Sequence, residues 1–176
     1  VHAVPGIRLT GTVDPHEMLV RALVGQQISV AAARTQLHRL AEACGTPVDT
    51  PMDGLNRLFP TPAQIAEQGE GALVGPAART RSILAIATRL AGGELDLSPA
   101  DEPRVQHDRL LAEPGIGEWT ASYVAMRVLG HPDVLQHFAA LVIGARTGHL
   151  TPQVRRHCRG LLLIYEGEDE IACAKH

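Results

Sequence analysis

The segment Leu110-Leu111-Ala112-Glu113-Pro114-Gly115-Ile116-Gly117-Glu118-Trp119-Thr120-Ala121 is where residue types and spacing point to chemistry. Helix-forming stretches flank a turn whose glycines, Gly115 and Gly117, permit positive φ and close backbone approach. The first N–H groups of the following helix lack intrahelical partners and carry the positive end of its dipole. Such a turn can hold a phosphate without any side chain, so even an acidic protein could grip DNA through it. Carbonyl oxygens around the same turn suit a hard monovalent cation, which would add positive field. The pattern also suits a plain helix stop followed by a new helix, so the turn alone assigns no function.

Other reactive side chains form no comparable arrangement. His131, His137, His149 and His157 lie toward the C-terminal end, and a neutral imidazole can orient water. Their spacings share neither a helical face nor a metal-ligand pattern, which suits surface residues. Gly-x-Ser-x-Gly, P-loop and His-Glu-x-x-His motifs are all missing. The 3 cysteines, Cys44, Cys158 and Cys173, make neither an even disulfide set nor a zinc spacing. That usage suits a reducing cytoplasm.

The elements that must position the turn are helical. The chain has 176 residues, 45% of them hydrophobic and 20% charged, enough to bury a core as one medium domain or two small lobes. A net charge of −3 means that any DNA contact must be local. No apolar run approaches the ~18 residues of a membrane helix. No charged n-region with an apolar stretch opens the chain, so no targeting signal is expected.

Asp14-Pro15 reads as a cap followed by proline in the first turn, opening a helix from Pro15 to about Gln26. Its Met18, Leu19, Ala22 and Leu23 share one face. Ser29 caps the next helix, which carries Val30, Ala33, Leu37, Leu40, Ala41 and Cys44 at helical spacing and ends at Gly45 as a left-handed residue. Thr61-Pro62 opens a helix to Gln68. Arg79 to Ala91 follows, with Ile83, Leu84, Ala87, Leu90 and Ala91 as its core stripe. Residues 92–104 read as a loop. Two helices then flank the glycine turn: Val105 to Ala112, and Trp119 to Leu129 with Ala121, Val124, Ala125, Val128 and Leu129 inward. Thr151-Pro152 starts another, and the acidic stretch Glu166 to Glu170 reads as a solvated end. The expectation is an all-α domain over 1–176 of roughly eight to ten helices, with a lobe boundary near 92–104 and a hairpin over 105–129.

Leu111-x-x-Pro-Gly-Ile-Gly-x-Trp-Thr-Ala-x-Tyr123 resembles the helix-hairpin-helix of the 3-methyladenine DNA glycosylase II (AlkA) family. Asp14 to Arg34, Leu58-Phe59-Pro60-Thr61-Pro62 and Arg127 to Val134 agree with it, in order, over about residues 4–135. The resemblance implies a two-lobed all-α body that flips an alkylated purine from the duplex and hydrolyses its N-glycosidic bond in base-excision repair. An alkylated purine is cationic, so aromatic faces select it by cation–π attraction. By position, Trp119 and Tyr123 match the base-pocket aromatics, and being four apart they share a helix face. Gln27 matches the residue that wedges into the gap left by the flipped base; a buried amide tying helix ends is the alternative. Pro114, Gly115, Ile116, Gly117 and Thr120 match the DNA-contacting turn. The carbonyls of Leu111, Glu113 and Ile116 match a sodium or potassium site, and no further cofactor is implied. The implied partner is double-stranded DNA bearing alkylated bases, engaged by a monomer in the cytoplasm, with no membrane. The family's N-terminal β-containing lobe has no counterpart and is expected to be absent.

One family feature has no match. The catalytic Asp, which stabilises an oxocarbenium-like sugar or activates water, falls about twenty residues after the hairpin Trp. Counting from Trp119 reaches Ala139, or Ala140 with one inserted residue, and no carboxylate stands between Asp133 and Glu166. Either turnover is lost while DNA binding persists, or Asp133 substitutes, or the sequence of 136–176 is imperfectly recorded, its Thr151 to Tyr165 resembling the family's last helices in shortened form without their Trp residues. The lyase branch of the superfamily uses a Lys just after its hairpin, whereas residues 118–121 are Glu-Trp-Thr-Ala and the only lysine is Lys175. The alternatives to an enzyme are a non-catalytic, lesion-sensing DNA-binding module and a helical protein-interaction lobe.

Overall fold

A computed structural model gives the fold, and it describes residues 11–130. The expected helix from Thr151, the histidines His131, His137, His149 and His157, Cys158, Cys173 and the acidic stretch lie outside these residues. So do Asp133, Ala139 and Ala140. Within them are six helices: α1 Pro15–Val24, α2 Val30–Cys44, α3 Pro62–Gln68, α4 Ala77–Ala91, α5 Pro103–Leu111 and α6 Glu118–Leu129. Among the described residues the one β-type pairing is an isolated antiparallel bridge between Pro47 and Arg57. No helix there is long and apolar enough to cross a membrane.

The caps account for most helix starts. Asp14 accepts the N–H groups of His16 and Glu17 at 2.8 and 3.1 Å, while Pro15 has no N–H to leave unpaired. Ser29 accepts from Ala32 N at 3.2 Å. Thr61 and Gln64 form a reciprocal capping box. α5 begins at Pro103, before the expected Val105, because the Glu102 carboxylate accepts the Val105 N–H at 2.9 Å. α4 likewise begins ahead of Arg79, at Ala77, after Pro76.

Two helix ends differ from expectation. α1 stops at Val24 because the chain turns at 25–28, where Gln27 adopts φ +60. Gly45 is extended, at φ −74 and ψ 150, rather than left-handed. It is the space that requires glycine here: a Cβ would collide with the backbone oxygens of Leu58 and Ala41.

α1 is the central element, packing on α2, α4 and α6. Its Leu19, Val20, Leu23 and Val24 are each at most 1% exposed. They meet Leu40, Ile65, Ile86, Leu110 and Val124 in one core. Fully burying each such side chain contributes about 1.5–3 kcal/mol. Leu95 and Leu97 in the 92–104 connection join this core, so that connection is packed down despite its Pro and Gly content. Most of the expected stripe positions are buried or half-buried, but Val30 at the start of α2 and Ala91 at the end of α4 are exposed, α2 fully buries only Leu40 and Cys44, and Met126 is buried in α6. α5 and α6 pack on each other and α6 packs on α1, which fixes the intervening turn against the body of the protein.

Candidate nucleic-acid interface

α5 ends at Leu111, and the chain closes a tight turn through hydrogen bonds from Glu113 N to Leu110 O and from Ile116 N to Glu113 O, each 3.1 Å. Gly115 sits at φ +93, which L side chains rarely adopt. The Ser82 hydroxyl on α4 donates to Pro114 O at 2.5 Å, and a Cβ on Gly115 would collide with that hydroxyl. Gly115 therefore meets both demands made of a glycine, conformation and close approach. Gly117 does not match the expectation of positive φ: it is extended, at φ −97 and ψ 172. Nothing lies within 4 Å of where its Cβ would be. Its missing side chain leaves open space at the start of α6.

That start has no side-chain cap. The N–H groups of Gly117 and Glu118 make no hydrogen bond among the described residues, and α6's ladder begins with Ala121 N to Gly117 O at 3.0 Å. Open amides at the positive end of a helix suit an anion. Glu118 itself is acidic, but its carboxylate is engaged by His107 Nε2 at 3.0 Å and by the Ser122 hydroxyl at 3.4 Å.

Behind the turn, three elements hold it. Glu113 is 5% exposed and pairs with Arg89 Nη1 of α4 at 2.9 Å. Ile116 is buried in the core. Gln26, from the α1–α2 turn, donates to Gly115 O at 3.2 Å and to Thr120 Oγ1 at 2.9 Å. Ile116 and Thr120, which the resemblance places in the DNA-contacting turn, do not present their side chains to the surface. Both are buried against the body of the protein, and only their backbone belongs to the outer turn.

The residues fit a monovalent cation at the turn. The carbonyls of Leu111 and Ile116 accept no hydrogen bond among the described residues, and that of Glu113 accepts one, from Ile116 N. Each keeps a lone pair for a hard cation. The neighbouring carbonyls of Pro114 and Gly115 are engaged by Ser82 and Gln26 instead.

Trp119 and Tyr123 are half-buried on one face of α6 and stack with ring centroids 5.2 Å apart and planes 8° apart. A ring inserted between two others requires roughly 7 Å, at about 3.4 Å per stacked layer. As placed, the two rings leave no slot between them. Gln27 is exposed and makes no hydrogen bond through its side chain among the described residues. The amide that ties elements together is that of its neighbour, Gln26. Sequence reasoning missed Gln26, Ser82, Arg89, His107 and Arg79. Only Gln26, a second amide beside Gln27 at a helix end, left any local signal.

This arrangement defines a class of fold. The chain superimposes on the Archaeoglobus fulgidus 3-methyladenine DNA-glycosylase with a TM-score of 0.61 at 23% identity, covering 88% of this chain and 58% of the other. It superimposes on Clostridium acetobutylicum 8-oxoguanine glycosylase/lyase in complex with double-stranded DNA with a TM-score of 0.67 at 15% identity, covering 89% and 61%. The described residues have the all-α helix-hairpin-helix fold that these structures share. No protein-family model matches the chain, but its sequence relatives are specific. It is 42% identical over 142 residues to the Mycobacterium tuberculosis protein named "Probable bifunctional transcriptional activator/DNA repair enzyme AlkA", covering 81% of this chain and 28% of that protein. It is 34% identical over 156 residues to Escherichia coli DNA-3-methyladenine glycosylase 2, covering 87% and 55%. The chain belongs to the AlkA family of DNA glycosylases. It spans only 28% and 55% of the length of these two curated relatives.

Proposed function

We propose that this chain recognises alkylated purines of the 3-methyladenine type in double-stranded DNA, as a monomer in the cytoplasm, by drawing the damaged base out of the stack. The observation that carries this reading is the uncapped start of α6. The open amides of Gly117 and Glu118 lie in the same turns of helix as the Trp119–Tyr123 pair. A backbone phosphate held at those amides needs no basic side chain, which reconciles DNA binding with a net charge of −3. A sodium or potassium ion held by the Leu111, Glu113 and Ile116 carbonyls would add positive field for that phosphate. Against a cationic base the aromatic residues would contribute cation–π attraction of about 0.5–2 kcal/mol, which favours alkylated over neutral purines. Gln27, exposed on its turn, fills the gap left in the duplex.

The reaction of this reading is hydrolysis: the N-glycosidic bond breaks, the base leaves, and water attacks the sugar without a covalent enzyme intermediate. A carboxylate facing the oxocarbenium-like sugar would support that step, and its place falls at Ala139 or Ala140. Loss of such a charge costs roughly a hundredfold or more in rate. The absence of any acid between Asp133 and Glu166 favours a second reading, a non-catalytic module that binds and senses lesions.

Single-turnover release of 3-methyladenine or 7-methylguanine from alkylated duplex DNA tests these readings, comparing the chain with its Ala139→Asp variant. Release by Ala139→Asp alone is the expected result, and it assigns the recognition apparatus to a glycosylase. Release by the unaltered chain moves the carboxylate role to Asp133 or to a histidine. No release by either, with retained binding at low salt, leaves the sensing module. Absence of duplex binding at any salt overturns both.

A further inference from the structure

The α1–α2 turn carries two adjacent glutamines in opposite situations. Gln26 uses its amide nitrogen twice, toward Gly115 O and Thr120 Oγ1. Because Gly115 O can only accept, it is the NH₂ end of the amide that faces the hairpin. The backbone oxygen of Gln26 accepts from Arg79 Nη1 on α4 at 2.9 Å, while Arg79 Nη2 donates to Val74 O at 3.2 Å. Gln26 is thus fixed through its side chain to the hairpin and through its main chain to α4. Gln27, the next residue, is exposed and held at φ +60. Non-glycine residues keep that conformation only when their surroundings impose it, and such strain clusters at functional positions.

We propose that Gln26, with Arg79 clamping its backbone, is a positioning residue that sets Gln27 relative to the hairpin, so that one rigid unit both grips the phosphate and fills the duplex gap. The proposal rests on the reading of the hairpin as the grip and Gln27 as the wedge. The physical reason is preorganisation. A wedge must reach the base stack at a fixed distance from the held phosphate, and freedom in the turn between them would be lost again on each binding event. A fold staple alone would explain the hydrogen bonds, but not the left-handed exposed residue that directly follows them.

The test uses a duplex with a tetrahydrofuran abasic analogue beside 2-aminopurine, whose emission rises on unstacking, at saturating protein so that binding and unstacking are read separately. Gln26→Ala is measured alone and in a Gln27→Ala background. The expected result is a fall of about tenfold in the unstacking equilibrium with Gln27 present, the size of two ordinary hydrogen bonds. In the Gln27→Ala background the same change has an effect within about twofold. Thr120→Val, which removes one acceptor at nearly constant shape, gives a smaller fall, and Thr120→Ser restores it. This pair also decides the question if Gln26→Ala fails to melt cooperatively. An equal effect of Gln26→Ala with and without Gln27, or none at all, overturns the positioning role while leaving the proposed function intact. A wild-type chain that binds the duplex without unstacking the probe overturns the wedge reading, and the proposal with it.

Discussion

Replacing Gly115 with alanine separates the two glycines of the hairpin. At φ +93 an alanine is strained by about 1–3 kcal/mol. The new Cβ would also collide with the Ser82 hydroxyl and lie 2.9 Å from its Cβ, so Ser82 must turn away and release Pro114 O. Losing that hydrogen bond costs about 1 kcal/mol more, offset in part by about 0.4–1 kcal/mol from a stiffer unfolded chain. The sum is a destabilisation of about 1–3.6 kcal/mol, and at roughly 2–4 °C per kcal/mol for a chain of this length Tm should fall by about 2–14 °C. Gly117→Ala, with open space at its Cβ and an extended backbone, should stay within about 1 kcal/mol of wild type. Thermal unfolding followed by circular dichroism reads both variants. A Gly115→Ala, Ser82→Ala cycle locates the cause. The double variant loses the hydrogen bond only once and carries a lesser collision, so its loss should be smaller than the sum of the single ones. A Gly115→Ala protein melting with wild type, or an additive cycle, would refute this account of the turn.

Two further outcomes are expected. Gly117→Val should lower affinity for duplex DNA at low salt by tenfold or more while the melt remains cooperative, because the side chain enters the space before the open amides. The affinity it removes should be the part that declines as salt rises, and unchanged binding would count against the hairpin as the grip. Cys44 is buried, and burial pushes its thiol above the ordinary range by penalising the thiolate. A raised folded value means that its contribution to stability is present below the ordinary thiol range and is lost as pH rises through the raised value. Denaturant midpoints should therefore fall more steeply at alkaline pH for the wild type than for Cys44→Ala, and parallel curves would exclude the effect.

Helix existence was legible because its causes are local. Asp14, Ser29 and Thr61 satisfy amides within three residues, and the apolar spacing of α1 shows which face is buried. The hairpin was legible for the same reason, with two glycines before an aromatic helix, and so was the family. Tertiary structure alone decided what each glycine is for. Gly45 is required by Leu58, Gly115 by Ser82, and Gly117 by nothing in the described protein, although the three are indistinguishable as letters. It also decided that Gln26 rather than Gln27 is the tethered amide, through Gly115 and Thr120, which lie 89 and 94 residues away. Local periodicity and capping are short-range and so are written in neighbouring residues. Partners such as Arg89 with Glu113, or Arg79 with Gln26, exist only after packing has brought α4 against the turns, and no spacing along the chain encodes that approach.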